Sequence, residues 1–357
     1  MKNFNLLVLV CMGIFGVIPI NMHAQHNNKV LIGTYYFGGW AGHKTGSEAW
    51  DKNAPMSSSE KLETEFSNRK PIWGWRDDTD KIMKKQIDLA SKNGIDCFFF
   101  CWYWADNGKA INKREIATRD LHDSMRRFMK AKNNKKMKFA LLVANHGGSL
   151  ISGKDNWIKA VDYWADNYFN HPQYLKIDGM PVISVFNSKV IEPYLTDVRQ
   201  EAIKKGFPGI FIISCNYHSD AFDANSWYNI RESEPGKSTE RDYKSYTHFI
   251  EYVWQSRNKD KNIIPNVMVG WDQRPWDTKN TSLYFSGRTP ILFRNHLDSA
   301  FQYIKREKSK YKIILIYAWN ELGEGGYLVP TAGDPKGLYL QQIRKIKRKY
   351  QKINSTK

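Results

Sequence analysis

Two glutamates, Glu321 and Glu324, stand in the segment Tyr-Ala-Trp-Asn-Glu-Leu-Gly-Glu-Gly-Gly that runs from Tyr317 to Gly326. Paired carboxyl groups can divide proton transfer between them, one held protonated as an acid and the other ionised as a base. Trp319, Asn320 and Tyr327 flank the pair. Sugar rings stack their C–H faces on aromatic side chains and pair their hydroxyls with amides and carboxylates, so this neighbourhood suits carbohydrate chemistry. The plainer alternative is that acidic residues sit in a glycine-rich loop because they are solvated. The preceding residues weigh against it. Lys-Ile-Ile-Leu-Ile-Tyr, residues 312–317, is the apolar, β-branched run of a strand buried on both faces. In α/β proteins built from such strands, chemistry gathers at the strands' carboxyl ends, where both glutamates fall.

The elements that must position them follow a regular alternation. Strands are expected over residues 30–37, 95–104, 138–145, 181–186, 209–215, 265–270 and 312–317, with a short one at 226–230. Helices are expected over 80–92, 116–132, 156–169, 193–205, 248–257, 291–308 and 338–350, the first stopping at Asn93-Gly94. Strands alternating with helices imply parallel βαβ units, and eight of them close as a (β/α)8 TIM barrel. An open doubly wound sheet would carry G-x-G-x-x-G after its first strand, whereas this turn reads Tyr36-Phe37-Gly38-Gly39-Trp40. No internal repeat or low-complexity linker interrupts the chain, so residues 25–357 read as one catalytic domain with elaborated loops.

In such a barrel the residues ending each strand share one face. They include Tyr36, Trp102, Tyr103, Trp104, Asn145, His146, Asn216, Trp271, Asp272, Asn320 and Glu321, with Arg274 and Tyr327 just beyond, an aromatic and amide-rich set expected to bind substrate. The chain's 13 tryptophans and 19 tyrosines exceed what a core needs, which fits rings left over for sugar. Any one of them can equally be core. His146, between Asn145 and Gly147-Gly148, reads as a substrate contact, a satisfied structural histidine being the alternative. Asp272 and Arg274 could form a salt bridge or touch substrate.

Residues 1–24, with Lys2, an apolar stretch over 6–20 and His-Ala before Gln25, read as a secretory signal peptide cut after Ala24. That stretch is too short to span a membrane and no later run reaches the roughly 18 residues needed, so an exported protein, periplasmic or extracellular, is expected. The formal charge of +18 could attract nucleic acid, anionic membrane or acidic glycans. No nucleic-acid module accompanies it. The expected partner is therefore a polysaccharide or oligosaccharide, with an anionic one as one reading and simple surface solubility as the other. After the signal only Cys97, Cys101 and Cys215 remain. Cys97 and Cys101 lie roughly 13 Å apart along one strand, too far to bond each other, and are read as buried thiols. No metal site and no cofactor are expected.

Five motifs together carry a family likeness. They are residues 32–37 (Ile-Gly-Thr-Tyr-Tyr-Phe); Gln86-Ile87-Asp88-Leu89-Ala90 through Gly94-Ile95-Asp96 to Phe100-Cys101-Trp102-Tyr103-Trp104; Tyr174-Leu175-Lys176-Ile177-Asp178-Gly179-Met180-Pro181; Val269-Gly270-Trp271-Asp272; and residues 318–328, Ala-Trp-Asn-Glu-Leu-Gly-Glu-Gly-Gly-Tyr-Leu. On these the chain resembles the WbsX-type family, a relative of glycoside hydrolase family 99. The resemblance implies a retaining glycosidase in which the sugar's 2-hydroxyl attacks its own anomeric carbon. Glu321 would assist deprotonation of that hydroxyl, and Glu324 would act as general acid, then base. The usual retaining scheme, with a carboxylate nucleophile about 5–5.5 Å from the acid, is the alternative. The chain departs from its relatives at Leu322, where they commonly carry Trp, at Val329, where an acidic residue precedes the proline, and at His146, where many read Ala-Asn-Glu. Mannosidase specificity is therefore not carried over. The competing functions are glycosyl transfer or transglycosylation, as the family's name suggests, and carbohydrate binding by an inactive barrel.

Overall fold

The computed structural model describes residues 29–43, 51, 53–104, 109–231, 239–257, 262–277, 282–307 and 309–355; the expected signal peptide lies outside them. Eight strands form the central sheet: β1 Leu31–Tyr36, β2 Cys97–Trp102, β3 Lys138–Val143, β4 Met180–Val185, β5 Phe211–Cys215, β6 Ala224–Ser226, β7 Asn266–Met268 and β8 Ile313–Tyr317. They pair in parallel in the order β6-β5-β4-β3-β2-β1-β8-β7. The two ends of this path meet where Asn225 N donates to Asn262 O at 3.1 Å and Ile264 N to Asn225 O at 2.9 Å. The result is a TIM barrel, nearly closed, as the alternation predicts. β2, Cys-Phe-Phe-Phe-Cys-Trp, is buried along its whole length because one face fills the barrel and the other meets the helix layer.

The helix Asp80–Lys92 shows how that layer forms. The Thr79 hydroxyl accepts from Ile82 N at 3.2 Å, capping the first turn, and Met83, Gln86, Ile87 and Ala90 recur at helical spacing to face the barrel. Two expectations need correction. The helix expected over 116–132 is broken into Lys113–Thr118, a 3-10 turn at Asp120–His122 and Asp123–Lys130. Buried His122 lies at the break: burial pushes its pKa down to about 3, and the neutral ring accepts from Tyr103 N at 2.9 Å through Nε2 while Nδ1 faces Ile116 O at 3.2 Å. The short strand expected at 226–230 forms instead at Ala224–Ser226, and no helix separates it from β5. Asn216, at φ +62°, turns the chain, and its Oδ1 accepts from Tyr228 N at 3.2 Å, so residues 227–230 run beyond the strand end.

The insert after β1 packs on the carboxyl end of the barrel. Its short helix Glu60–Thr64 is capped by Ser59, whose hydroxyl also donates to Pro275 O at 3.1 Å, and Pro71 bridges to Thr331. Asp77 closes the insert inside a buried polar network. Tyr36 donates to its Oδ2 at 2.7 Å and Ser124 to its Oδ1 at 3.2 Å, while Trp319 Nε1 donates to Gln86 Oε1 at 2.6 Å beside them. Burial raises Asp77 to about 7 even though those hydroxyl bonds oppose the shift. Its folded pKa thus exceeds its unfolded value of about 3.9. The stability it contributes is complete below that lower value and is lost as pH rises through about 7. The melting temperature of Asp77→Asn relative to the parent should therefore be more favourable at pH 8 than at pH 4, which thermal melts at both values will check.

Candidate active site

Beyond β8, Asn320–Glu321 pairs antiparallel with Gly326–Tyr327 in a tight hairpin, and Glu324 sits in its turn. The glycines are there for contact and conformation. Gly325 has φ +74°, and a Cβ on Gly326 would come within 2.2 Å of the Tyr317 ring. Three remote residues hold the turn by its backbone. Arg69 Nη1 donates to Leu322 O at 2.9 Å, Asp272 N to Glu324 O at 2.6 Å, and Arg288 Nη1 to Gly325 O at 3.0 Å. Arg69 is itself buried in an ion pair with Asp272 and donates to Asp272 O at 3.1 Å.

Both glutamates open on one cavity of about 600 Å³ at the carboxyl ends of the strands. That size falls within the range of about 300–1,000 Å³ usual for small-molecule sites. Phe37 follows β1, Cys101 and Tyr103 come from β2 and its end, His146 follows β3, Phe186 follows β4 and Tyr228 follows β6. Each carboxyl lies under a phenol: Tyr228 donates to Glu321 and Tyr317 to Glu324, with Gln273 Nε2 donating to Glu324 Oε1 at 3.2 Å. Burial, and then the charge of Glu324, push the Glu321 carboxyl well above the carboxylate range. Burial also raises Glu324, though the bonds from Tyr317 and Gln273 and the Arg231 charge pull it back. Two buried carboxyls that repel each other lose their protons in sequence, so one proton is retained by the pair to a higher pH than a lone glutamate would hold it.

The expected substrate residues divide into two groups. Tyr103, His146, Glu321 and Glu324 line the cavity, with His146 exposed and its ring 6.1 Å from that of Tyr103. The others are engaged elsewhere. Tyr36 is spent on Asp77, and Asn320 holds the Phe37 backbone through Phe37 N at 2.8 Å and Phe37 O at 2.8 Å. Asn145 likewise holds Asn187 N at 2.9 Å and Asn187 O at 3.0 Å. Trp102 and Trp104 pack on each other at 5.4 Å in the core, where Trp102 also stacks on His122. Asn216 orients Tyr228, while Trp271, Asp272, Arg274 and Tyr327 border a second cavity. Asp272 and Arg274 do form a salt bridge, at 2.8 Å. Burial pushes Asp272 up, but the Arg274 hydrogen bonds and the Arg69 charge outweigh it and hold the carboxyl low. Tyr228, Gln273 and Trp276 were not singled out individually by sequence reasoning. Trp276 is 41% exposed at the cavity wall with its ring against Gly323. Only its place in the aromatic segment after β7 hinted at this. Among the described residues no three His, Cys, Asp or Glu side chains group to hold a metal ion, and no helix is long and apolar enough to cross a membrane.

Residues 75–343 match the family described as glycosyltransferase WbsX. The chain belongs to the WbsX family. This WbsX barrel is also similar to WxcX, an uncharacterized protein of Xanthomonas campestris pv. campestris, at 24% identity over 287 residues, covering 71% of this chain and 39% of WxcX. The chain therefore spans about two fifths of the curated relative's length. Its fold is that of the GH99 endo-α-mannosidase from Bacteroides thetaiotaomicron, with a TM-score of 0.61 at 14% identity over 91% of this chain and 98% of that one. A protein described as glycoside hydrolase-like superposes with a TM-score of 0.60 at 14% identity, over 90% of this chain and 94% of that one. The WbsX chain thus shares the TIM-barrel fold of those proteins.

Two substitutions test this geometry. Arg69→Met leaves Asp272 with only Arg274 and frees the Leu322 carbonyl, and should cost about 3 kcal/mol in chemical denaturation. Tyr317→Phe removes a bond that favours ionised Glu324, so the Glu324 carboxyl should titrate at higher pH in the variant, as read by carbon NMR of labelled glutamate.

Proposed function

We propose that this protein is an exported glycoside hydrolase that cleaves a complex polysaccharide or glycan with retention of configuration, using Glu321 and Glu324. The observation that supports it most is the pair of carboxyls, Glu321 buried and Glu324 half-buried, each under a tyrosine hydroxyl and facing one cavity at the carboxyl end of the barrel. Bond cleavage needs a proton for the departing sugar oxygen and a base or nucleophile for the anomeric carbon or its neighbouring hydroxyl. A pair that shares one proton meets both needs. Tyr103, His146 and exposed Trp276 would contact the sugar, the indole stacking on its C–H face.

The resemblance implies Glu324 as the acid, but in the free protein burial and the neighbouring charge favour the proton on Glu321. The two orders differ in leaving-group dependence. We expect Glu321→Gln to lose activity on polysaccharide but to recover most of its kcat/KM, which reports the first step, on an aryl glycoside with an acidic phenol; that pattern in Glu324→Gln instead would restore the order the resemblance implies.

The family's description as a glycosyltransferase fits the same site if an acceptor hydroxyl, rather than water, takes the sugar in the second step. Product release from neutral and acidic polysaccharides, with the anomer read by proton NMR, decides between them. Each glutamine variant should reduce release at least about 100-fold. Intact binding without release, unchanged in both variants, would make the protein a carbohydrate-binding barrel.

A further inference from the structure

Behind the glutamate turn lies a second cavity, of about 340 Å³, whose wall includes Arg69, Arg274 and Arg288 together with Trp271, Phe285 and Tyr327. The turn separates the two cavities: Glu321 and Glu324 line the first, while Gly325 and Asp272 line the second. Asp272 is the one buried carboxylate in this wall, and two guanidiniums share it, Arg69 through a direct ion pair and Arg274 through Nε at 2.8 Å and Nη2 at 2.9 Å. Arg288 has no carboxylate partner among the described residues. Its Nη1 donates to Gly325 O, and its guanidinium lies 4.4 Å over the Tyr327 ring. Glu65 also borders the cavity, and Glu240, bonded to Tyr284, stands near Arg274, but both are exposed. Exposed carboxylates are hydrated and screened, so they offset the half-buried Arg274 and Arg288 weakly.

A guanidinium carries five N–H donors in a fixed fork, and Arg288 commits few of them within the protein. Such a fork takes a carboxylate or sulfate two oxygens at a time. The Trp271 and Tyr327 rings are buried with Arg231 over the one and Arg288 over the other, so they position guanidiniums rather than stack on a sugar. A wall of three guanidiniums and one buried carboxylate recognises an acidic group rather than a neutral one. We infer that this cavity binds a negatively charged residue of the glycan, a uronate or a sulfated sugar, through Arg288 and Arg274, across the glutamate turn from the bond to be cleaved. The inference rests on the reading of the first cavity as the glycan-cleaving site.

Affinity measured by calorimetry on the full chain carrying Glu324→Gln tests it, using a uronate-containing oligosaccharide, a sulfated one and their neutral counterparts. At least one acidic oligosaccharide should bind about ten-fold more tightly than its neutral counterpart. Adding Arg288→Gln should erase that margin, so that acidic and neutral oligosaccharides bind this variant equally, and Arg288→Lys should keep part of it. Should the melting curve show Arg288→Gln unfolded, Arg274→Gln must erase the margin in its place. Equal affinity for acidic and neutral chains overturns the inference. Free glucuronate or inorganic sulfate binding as tightly as the oligosaccharides also overturns it, by making the ligand a small anion. Affinity does not depend on turnover, so a failure here leaves the hydrolysis reading standing, and an absence of product release leaves a measured margin for acidic sugars intact.

Discussion

The buried ion pair between Arg69 and Asp272 joins three segments that are remote in sequence: the insert after β1, the loop after β7 and the turn after β8. A turn with glycines at 323, 325 and 326 has more backbone freedom than any other kind, and freedom is the opposite of what two cooperating carboxyls require. Arg69 and Asp272 remove it by occupying the carbonyls of Leu322 and Glu324. Burial lowers the Arg69 pKa, but Asp272 opposes that shift, so the guanidinium keeps its charge and its donors inside the protein. The insert therefore helps to hold the glutamate turn even though, among the described residues, none of its charged side chains lines the glutamates' cavity.

Around the carboxyls the balance is between burial and hydrogen bonding. Burial raises the pKa of both, while a phenol donating to each favours the ionised form. Arg231 biases the outcome toward ionised Glu324, and the same guanidinium lies 4.6 Å over Trp271. An asymmetric pair of this kind is suited to holding one proton in one place, which a symmetric pair in water would not do.

The aromatic residues show where reading by type goes astray. Trp102, Trp104 and Trp271 end their strands as a sugar platform should, yet they are at most 2% exposed. A strand end points side chains alternately into the barrel and toward the helices, and sequence alone does not say how far the loops fold back over them. Trp276 stays exposed at the cavity wall, and Gly323, lacking a side chain, leaves the room its indole occupies beside the turn. Tyr228 was missed for a related reason. It belongs to no clear strand, and only the loop ordered by Asn216 carries it to Glu321.

What the sequence determined by itself was the barrel and the end of it at which Glu321 and Glu324 stand. Periodicity in apolar residues is a local property, so the run ending at Tyr317 announces a buried strand, and parallel strands put their carboxyl ends on one face. Glu321 and Glu324 were legible for that reason. What only the tertiary structure decided was who stands beside them. Asp272 was undecided between salt bridge and substrate until Arg69, about two hundred residues away, reached it. Asn145 and Asn320 turned out to brace the backbone, because a buried amide satisfies its hydrogen bonds with whatever the fold brings near. Such pairings depend on distances across the chain that no local pattern encodes.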